Sequence, residues 1–259
     1  MRRTVLAAAV LAAAALSAPS ADAAVVATRS AKKVVRAIAT RPSLVLGAKW
    51  MHLPPKGHPA AISTTPLVGF PRAGKSYAIL SSGDATAITR PNDSEDLSND
   101  DGGPPVRGTR DTTILRVDLR VPRGARCLSV SFRFLSEEFD EYVDSPYNDA
   151  FIAEMGKSNW TGLGGARLKA PRDFARGRHD TVISVNRTGD FSTTADRARG
   201  TTYDAGTRRL RASKPVKPGR ARVFFSIFDQ ADRQYDSSVV LDRLAVNGRR
   251  PCVSGASLD

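Results

Sequence analysis

The chain has 259 residues, with 39 Lys and Arg against 26 Asp and Glu, a formal charge of +13, and two Cys. That length suits one large β domain or two small ones. The positive surplus suggests nucleic-acid binding, but the basic residues are mostly Arg scattered along the chain, and no nucleic-acid motif accompanies them. The composition therefore argues against a nucleic-acid partner and for a solvated basic surface with a weak attraction to acidic polymers.

The start reads as an export signal. Arg2 and Arg3 precede an unbroken Val/Leu/Ala run from Val5 to Leu16, and Ala21-Asp22-Ala23 forms a small-residue cleavage site. This is the pattern of a cleavable signal peptide over 1–23. The apolar run, about 12 residues, falls short of the roughly 20 that span a bilayer, and no later stretch is long and apolar enough for a membrane helix. The expected location is secreted or extracellular, with surface association possible in principle. In an oxidising compartment Cys127 and Cys252 are expected to form a disulfide.

Residues 24–65 carry little pattern. Ala31 to Ala39 fits a short basic helix with Val34, Val35 and Ile38 on one side, after which Pro42, Pro54, Pro55 and Pro59 interrupt the chain. An irregular basic, Pro-rich leader is expected here. A β domain is expected over 66–253 and a tail over 254–259.

Within 66–253 the strand signals are regular. Leu115, Val117, Leu119 and Val121 alternate with Arg116, Asp118 and Arg120. After the turn Pro122-Arg123-Gly124, Leu128, Val130, Phe132 and Phe134 alternate with Ser129, Ser131 and Arg133. Period two over this length marks half-buried strands. Further strands are expected at Tyr77 to Ser81, Ala150 to Met155, Thr181 to Asn186, Arg208 to Ala212, Ala221 to Phe228 and Ser238 to Val246. About eight or more strands with turns between them predict an all-β fold, a β-sandwich or jelly roll.

Gly69 to Ser76 matches the phosphate-loop pattern G-x4-G-K-[ST]. That motif needs a helix after it so that loop amides and the helix N-terminus can hold phosphates. Here a strand-like Tyr-Ala-Ile-Leu-Ser follows, so no nucleotide is expected.

The strongest chemical signal is an acidic island in a basic chain. Leu135 to Gly156 contains no Lys or Arg, but holds Glu137, Glu138, Asp140, Glu141, Asp144, Asp149 and Glu154, with Asn148 beside them. Crowded like charges need something positive among them. Either a hard divalent cation or pairing with Arg supplies it, and the residues alone leave both open. A second acidic set, Asp229, Asp232 and Asp236 with Asp242, follows and enters the last strands. A third, Asp93, Glu95, Asp96, Asp100 and Asp101, reads as a solvated loop. There is no H-E-x-x-H and no G-x-S-x-G, and two of the three His fall in the leader.

Phe134-Leu-Ser-Glu-Glu-Phe-Asp-Glu-Tyr-Val-Asp-Ser-Pro-Tyr-Asn-Asp-Ala-Phe151 resembles the signature of the choice-of-anchor L domain, a family of exported and surface-attached bacterial proteins. Tyr77 to Asp84, Thr113 to Leu119 and Ile227 to Asp242 resemble its other segments in the same order. The last strand is also similar to that of calcium-stabilised carbohydrate-binding jelly rolls. Together the resemblances imply a non-catalytic extracellular binding or adhesion module with a structural Ca2+. Glu137, Glu138, Glu141, Asp144, Asn148 and Asp149 would form one side of the site, and Asp229, Asp232, Asp236 and Asp242 the other. Its partner would be an extracellular ligand such as a cell-surface glycan or acidic polymer. Tyr142, Tyr147, Trp160 and Tyr235 lie near that edge, where packing is the expected role. The alternatives are a secreted glycan hydrolase using paired carboxylates such as Glu137 and Glu141, and a structural cell-surface or matrix component.

Overall fold

A computed structural model of the protein describes residues 25–92, 97–187 and 191–259. The expected signal peptide, 1–23, lies outside the described residues, as do Asp93, Glu95 and Asp96. No helix among the described residues is long and apolar enough to cross a membrane.

The first strands in the chain are β1 (Val25–Ala27), β2 (Val45–His52), β3 (Ala60–Ser63), β4 (Tyr77–Ser81), β5 (Arg110–Val121), β6 (Cys127–Ser136) and β7 (Ala150–Met155). There follow β8 (Thr161–Gly162), β9 (Leu168–Lys169), β10 (Ile183–Ser184), β11 (Ala205–Gly206), β12 (Leu210–Pro215), β13 (Gly219–Asp229), β14 (Ser237–Asn247) and β15 (Gly255–Leu258). The fold is all-β. One sheet runs β1-β3-β4-β14-β6-β12-β15, with β11 beside the end of β6; a second runs β10-β7-β13-β5-β2. Each neighbour pair is antiparallel.

The alternation of β5 and β6 sets which faces meet. Leu115 and Val117 from one sheet pack against Val130, Phe132 and Phe134 from the other, with Phe151, Phe225, Val239 and Leu241 in the same core. Phe132 and Phe151 lie 5.0 Å apart between ring centroids. Burying each such side chain contributes roughly 1.5–3 kcal/mol. The opposite face of β6 and β14 is partly roofed by loops through a second apolar cluster that includes Phe70, Tyr77, Leu135, Tyr203 and Val240.

Two expected boundaries are corrected. The segment expected as an irregular leader is built into both sheets: β1 and β3 extend the first, and β2 forms an edge of the second. Its helix, α1 (Ala31–Ile38), forms as the spacing predicts. Ser30 caps it, and Val34, Val35 and Ile38 enter the main core. Of the prolines that hid these strands, Pro42 opens a short 3-10 turn ahead of β2, and Pro54, Pro55 and Pro59 sit in the turn between β2 and β3, where they cost no ladder hydrogen bond. The expected tail contains β15, which pairs with β12 from Leu210↔Leu258 to Ser213↔Gly255. Cys127 and Cys252 are joined as expected, linking the start of β6 to the segment before β15.

Candidate functional site

Sheet register brings the two acidic stretches together. Ser237 opens β14 opposite Ser136, the last residue of β6. Phe228, near the end of β13, lies opposite Ala150, the first residue of β7. The 137–149 and 230–236 connections therefore leave the sandwich at the same end.

Four carboxylates meet there: Glu138, Asp149, Asp229 and Asp236, all buried. Glu138 Oε2 accepts from the Asp149 amide at 3.1 Å, and Asp149 Oδ1 accepts from the Gln230 amide at 3.2 Å. Asp149 and Asp229 lie within hydrogen-bonding reach of one another, a contact two ionised carboxylates cannot satisfy. Asp236 Oδ2 accepts from Asn99 through the backbone N at 3.1 Å and the side-chain Nδ2 at 2.7 Å. Only a residue without Cβ fits at Gly83, because a Cβ there would overlap the Asp236 carboxylate. The remaining oxygens, Glu138 Oε1, Asp149 Oδ2, both of Asp229 and Asp236 Oδ1, meet no hydrogen-bond donor. Among the described residues no Lys or Arg forms a salt bridge with any of the four.

The electrostatics follow from that geometry. Burial pushes Glu138 well above the carboxylate range, and the neighbouring Asp149 charge adds to it. Burial also raises Asp149 against the hydrogen bonds it accepts. Asp229 is raised by burial and then by Asp149 and Asp236. Asp236 is raised by burial, offset by Asn99, with Asp149 and Asp101 pushing it further up. Desolvation favours the neutral form of each, and so does crowding.

The other expected ligands do not all converge. Glu137 is buried beside the cluster, its amide donating to the Asp236 carbonyl at 3.2 Å. Asp232 sits at the rim with its Oδ1 facing the Gln234 amide at 3.4 Å. Glu141 and Asp144 are exposed to solvent. Asn148 is buried but committed elsewhere: its Nδ2 donates to Ala166 O at 2.9 Å and its Oδ1 accepts from the Asn186 amide at 2.9 Å. It staples three loops together. Asp242 is the clearest correction. It lies six residues along β14 from Asp236, about 20 Å at strand rise, and accepts from the Arg72, Ala73 and Arg243 amides. The phosphate-loop look-alike thus gives two of its amides to an internal carboxylate and runs straight into β4.

Sequence reasoning missed two contributors. Asp101 and Asp111, expected to be solvated or unremarked, are buried. Asp101 is pushed up to about 7 by burial and then by Asp111. Asp111 is pushed up to about 6 by burial, against the attraction of Arg233. Arg233 binds both Asp100 and Asp111, so the cation nearest the acidic end is spent on this second set. No signal in the sequence couples 97–103 to 229–236; the link is a tertiary bond, Asp236 N to Leu97 O at 2.7 Å.

Next to the cluster lies a groove of about 730 Å³ with a mixed lining, Asn148, Arg167, His179 and Asn186 beside Leu163 and Val182 among others. Three half-buried tyrosines stand at the same end: Tyr142 meets Tyr147 edge-on at 5.5 Å and Tyr235 at 4.8 Å. Trp160 is fully buried, stacked on Phe228 at 4.2 Å, and packs as expected.

The oxygen donors at the cluster suit a hard cation by type. As placed, no group of three or more His, Cys, Asp or Glu among the described residues is gathered to hold a metal ion. The carboxylates are assembled but not closed around one point.

No protein-family model matches the chain, and no curated protein matches it. Among solved structures, it is similar to TmCBM61 in complex with beta-1,4-galactotriose, at 8% identity and a TM-score of 0.30, over 77% of this chain and 86% of that one. It is also similar to the enzymatically active domain of tailspike protein 4 of bacteriophage CBA120, at 9% identity and a TM-score of 0.26. That match covers 80% of this chain and 19% of the tailspike chain.

Proposed function

We propose that the protein is a non-catalytic extracellular binding module whose loop end is organised by calcium held among Asp149, Asp229, Asp236 and Glu138. One observation carries this: four buried carboxylates present five oxygens without a donor, and among the described residues no guanidinium or ammonium pairs with them. Buried charge in that state is costly. Two things relieve it, protons or a cation. A calcium ion would supply the missing positive charge and accept about 6–8 oxygens in flexible geometry, which suits carboxylates from two separate connections better than the strict octahedron of magnesium.

Protons and calcium compete on this account. In the absence of calcium the raised carboxylates keep protons, which spares the repulsion and leaves the side chains ungathered. Uptake of the ion displaces those protons, so apparent affinity rises with pH. The adjoining groove and the tyrosines are then held by the same connections, 137–149 and 230–236, that supply the ligands. A glycan suits a groove of mixed lining beside aromatic rings. The Cys127–Cys252 disulfide fits an oxidising, extracellular setting.

The test is calorimetry of the folded protein with Ca2+, with Mg2+ and with chelator, at pH 6 and pH 8 and in buffers of different ionisation enthalpy. Calcium-specific binding with proton release, tighter at pH 8, is expected. Heats that vanish in all buffers, or equal responses to both ions, overturn the calcium assignment. A glycan array probed with calcium present then tests the binding role.

A further inference from the structure

The outer face of the first sheet holds a second polar constellation. In β6, Val130 and Phe132 point into the core, which turns Ser129, Ser131 and Arg133 outward; in β12, Leu210 and Ala212 point inward and Arg211 and Ser213 outward. Register places Ser257, Arg211, Ser131 and Asp242 in one row across β15, β12, β6 and β14. Above that row four arginines converge on one carboxylate, Asp259. Arg211 binds its Oδ1, Arg72 Nε lies 3.4 Å from Oδ2, and Arg209 and Arg243 approach to 4.0 Å. Arg133 stands behind Arg209. Burial first, then Arg209 and Arg197, pulls its pKa down to about 10.

The balance is uneven. Four guanidiniums surround one side-chain carboxylate, with Arg133 behind them, because Asp242 is spent on backbone amides. The Asp259 side chain is 0% exposed, yet the four arginines keep 14–44% of their side-chain surface in solvent. Arg209 Nε is buried without a hydrogen-bond partner, and the Ser131 hydroxyl beneath the row faces the Asp259 carboxylate. The residue that fills the cleft sits at the end of β15, an edge strand held to β12 over four residues.

We propose that this cleft is a recognition site for the carboxylates of an acidic polysaccharide, and that Asp259 is a built-in competitor occupying the place of one uronate group. Guanidinium pairs match carboxylates in shape and charge. Ser213 and Ser257 at the rim offer hydroxyl partners of the kind a sugar ring needs, and Ser131, buried beneath Asp259, is uncovered when that carboxylate is displaced. A serine hydroxyl can also accept from a sugar O–H, a capacity that a fully ionised polyphosphate, having no donor, leaves unused. This inference does not depend on calcium at the acidic end.

The probe is a homogeneous oligogalacturonate, with its fully methyl-esterified, neutral counterpart and an oligonucleotide of equal charge as controls. Binding is measured by calorimetry on the full chain in low salt, with the melt of each variant checked. Asp259→Asn is expected to bind oligogalacturonate at least five-fold tighter than the unaltered chain. Arg72→Gln with Arg211→Gln should bind at least ten-fold weaker, and the methyl ester should not bind. Unchanged or weaker binding by a folded Asp259→Asn chain overturns the proposal. So does an oligonucleotide that binds as tightly with the same Asp259 response, which would mark a non-specific polyanion patch. Should Asp259→Asn or the double variant fail to fold, the exposed Arg243→Gln decides. A three-fold or greater loss of oligogalacturonate affinity is required, and undiminished binding overturns the site.

Discussion

Asp229→Asn should change the sign of its effect with calcium. Asp229 is fully buried, both its oxygens lack a donor, and Asp149 faces it. An amide of the same size is neutral at pH 8 without having to take up a proton, and its N–H groups can donate to Asp149. Relief of an unmatched buried polar group is worth about 1–3 kcal/mol. At about 2–4 °C per kcal/mol for a domain of this size, the variant should melt roughly 2–12 °C higher than the unaltered protein in chelator at pH 8. Calcium at a hundred times its dissociation constant stabilises the unaltered protein by about 2.7 kcal/mol, or roughly 5–10 °C. The variant, having lost a central ligand, should gain little. With the variant's gain in the middle of its range, about 2 kcal/mol, against about 2.7 kcal/mol from calcium, the two proteins exchange rank between chelator and calcium. Scanning calorimetry in both conditions reads this directly. A variant less stable in both, or one with the full calcium shift, refutes the reasoning: the first makes Asp229 an ordinary structural carboxylate, and the second puts the ion elsewhere.

Asp173 gives a pH dependence remote from the cation site. It is fully buried, its Oδ1 accepts from the Ala153 and Ala175 amides, and burial pushes it up to about 7, with Glu154 adding to the rise. A raised folded-state value means the native form holds a proton that the unfolded chain releases. Stability from this group is therefore present below about pH 4, is lost as the pH climbs to about 7, and stays lost above; the full span is at most about 4 kcal/mol. Asp173→Asn should remove that part of the slope and raise the melting temperature at pH 8, and an unaltered slope in melts from pH 4 to 8 would show that Asp173 does not titrate. Asp242→Ala should cost about 1–3 kcal/mol by stranding the amides of Arg72, Ala73 and Arg243, with the calcium shift of the melt unchanged; a lost shift would return Asp242 to the cation site. Reducing the Cys127–Cys252 bond, which spans 125 residues, should lower stability by about 5 kcal/mol on the chain-entropy account, measured by denaturant melts with and without reductant.

The parts of the fold that were legible in the sequence are those whose cause is local. β5 and β6 alternate because each has one face in the core, and that pattern needs no knowledge of the partner strand. The acidic island was legible for the same reason: twenty-two residues without a cation are conspicuous in a chain of net charge +13. What escaped depends on distant partners. β1 is a three-residue edge strand and β3 a four-residue one that follows Pro59, and only pairing with β1 and β4 makes β3 a strand. Asp101 looked solvated because polar, Gly-rich composition reports average exposure, whereas its burial comes from the loop folding over 230–236. Asp242 alternates outward, as its position allowed. Its partners are amides about 170 residues earlier, and their loop was conspicuous only for a motif it does not use.

The two candidate sites put opposite charge at the end of the sandwich, where both sheets meet, and on the outer face of the first sheet, and their separation decides whether they can interact. Ser136 marks the acidic end of β6 and Ser131 the floor of the arginine cleft, five residues or about 17 Å apart at strand rise. That is about twice the Debye length in physiological salt. The strand between them is packed on both faces, by Phe132 and Phe134 on one and Leu135 on the other, so neither site has a mobile element through which to move the other. Calcium should then leave oligogalacturonate affinity unchanged within about two-fold at physiological ionic strength, and Asp259→Asn should leave the calcium isotherm unchanged. Coupling beyond that, measured by repeating each titration with the other ligand saturating, would mean that the rigid strand is not what separates them and that β14, common to both sites, shifts when either is filled.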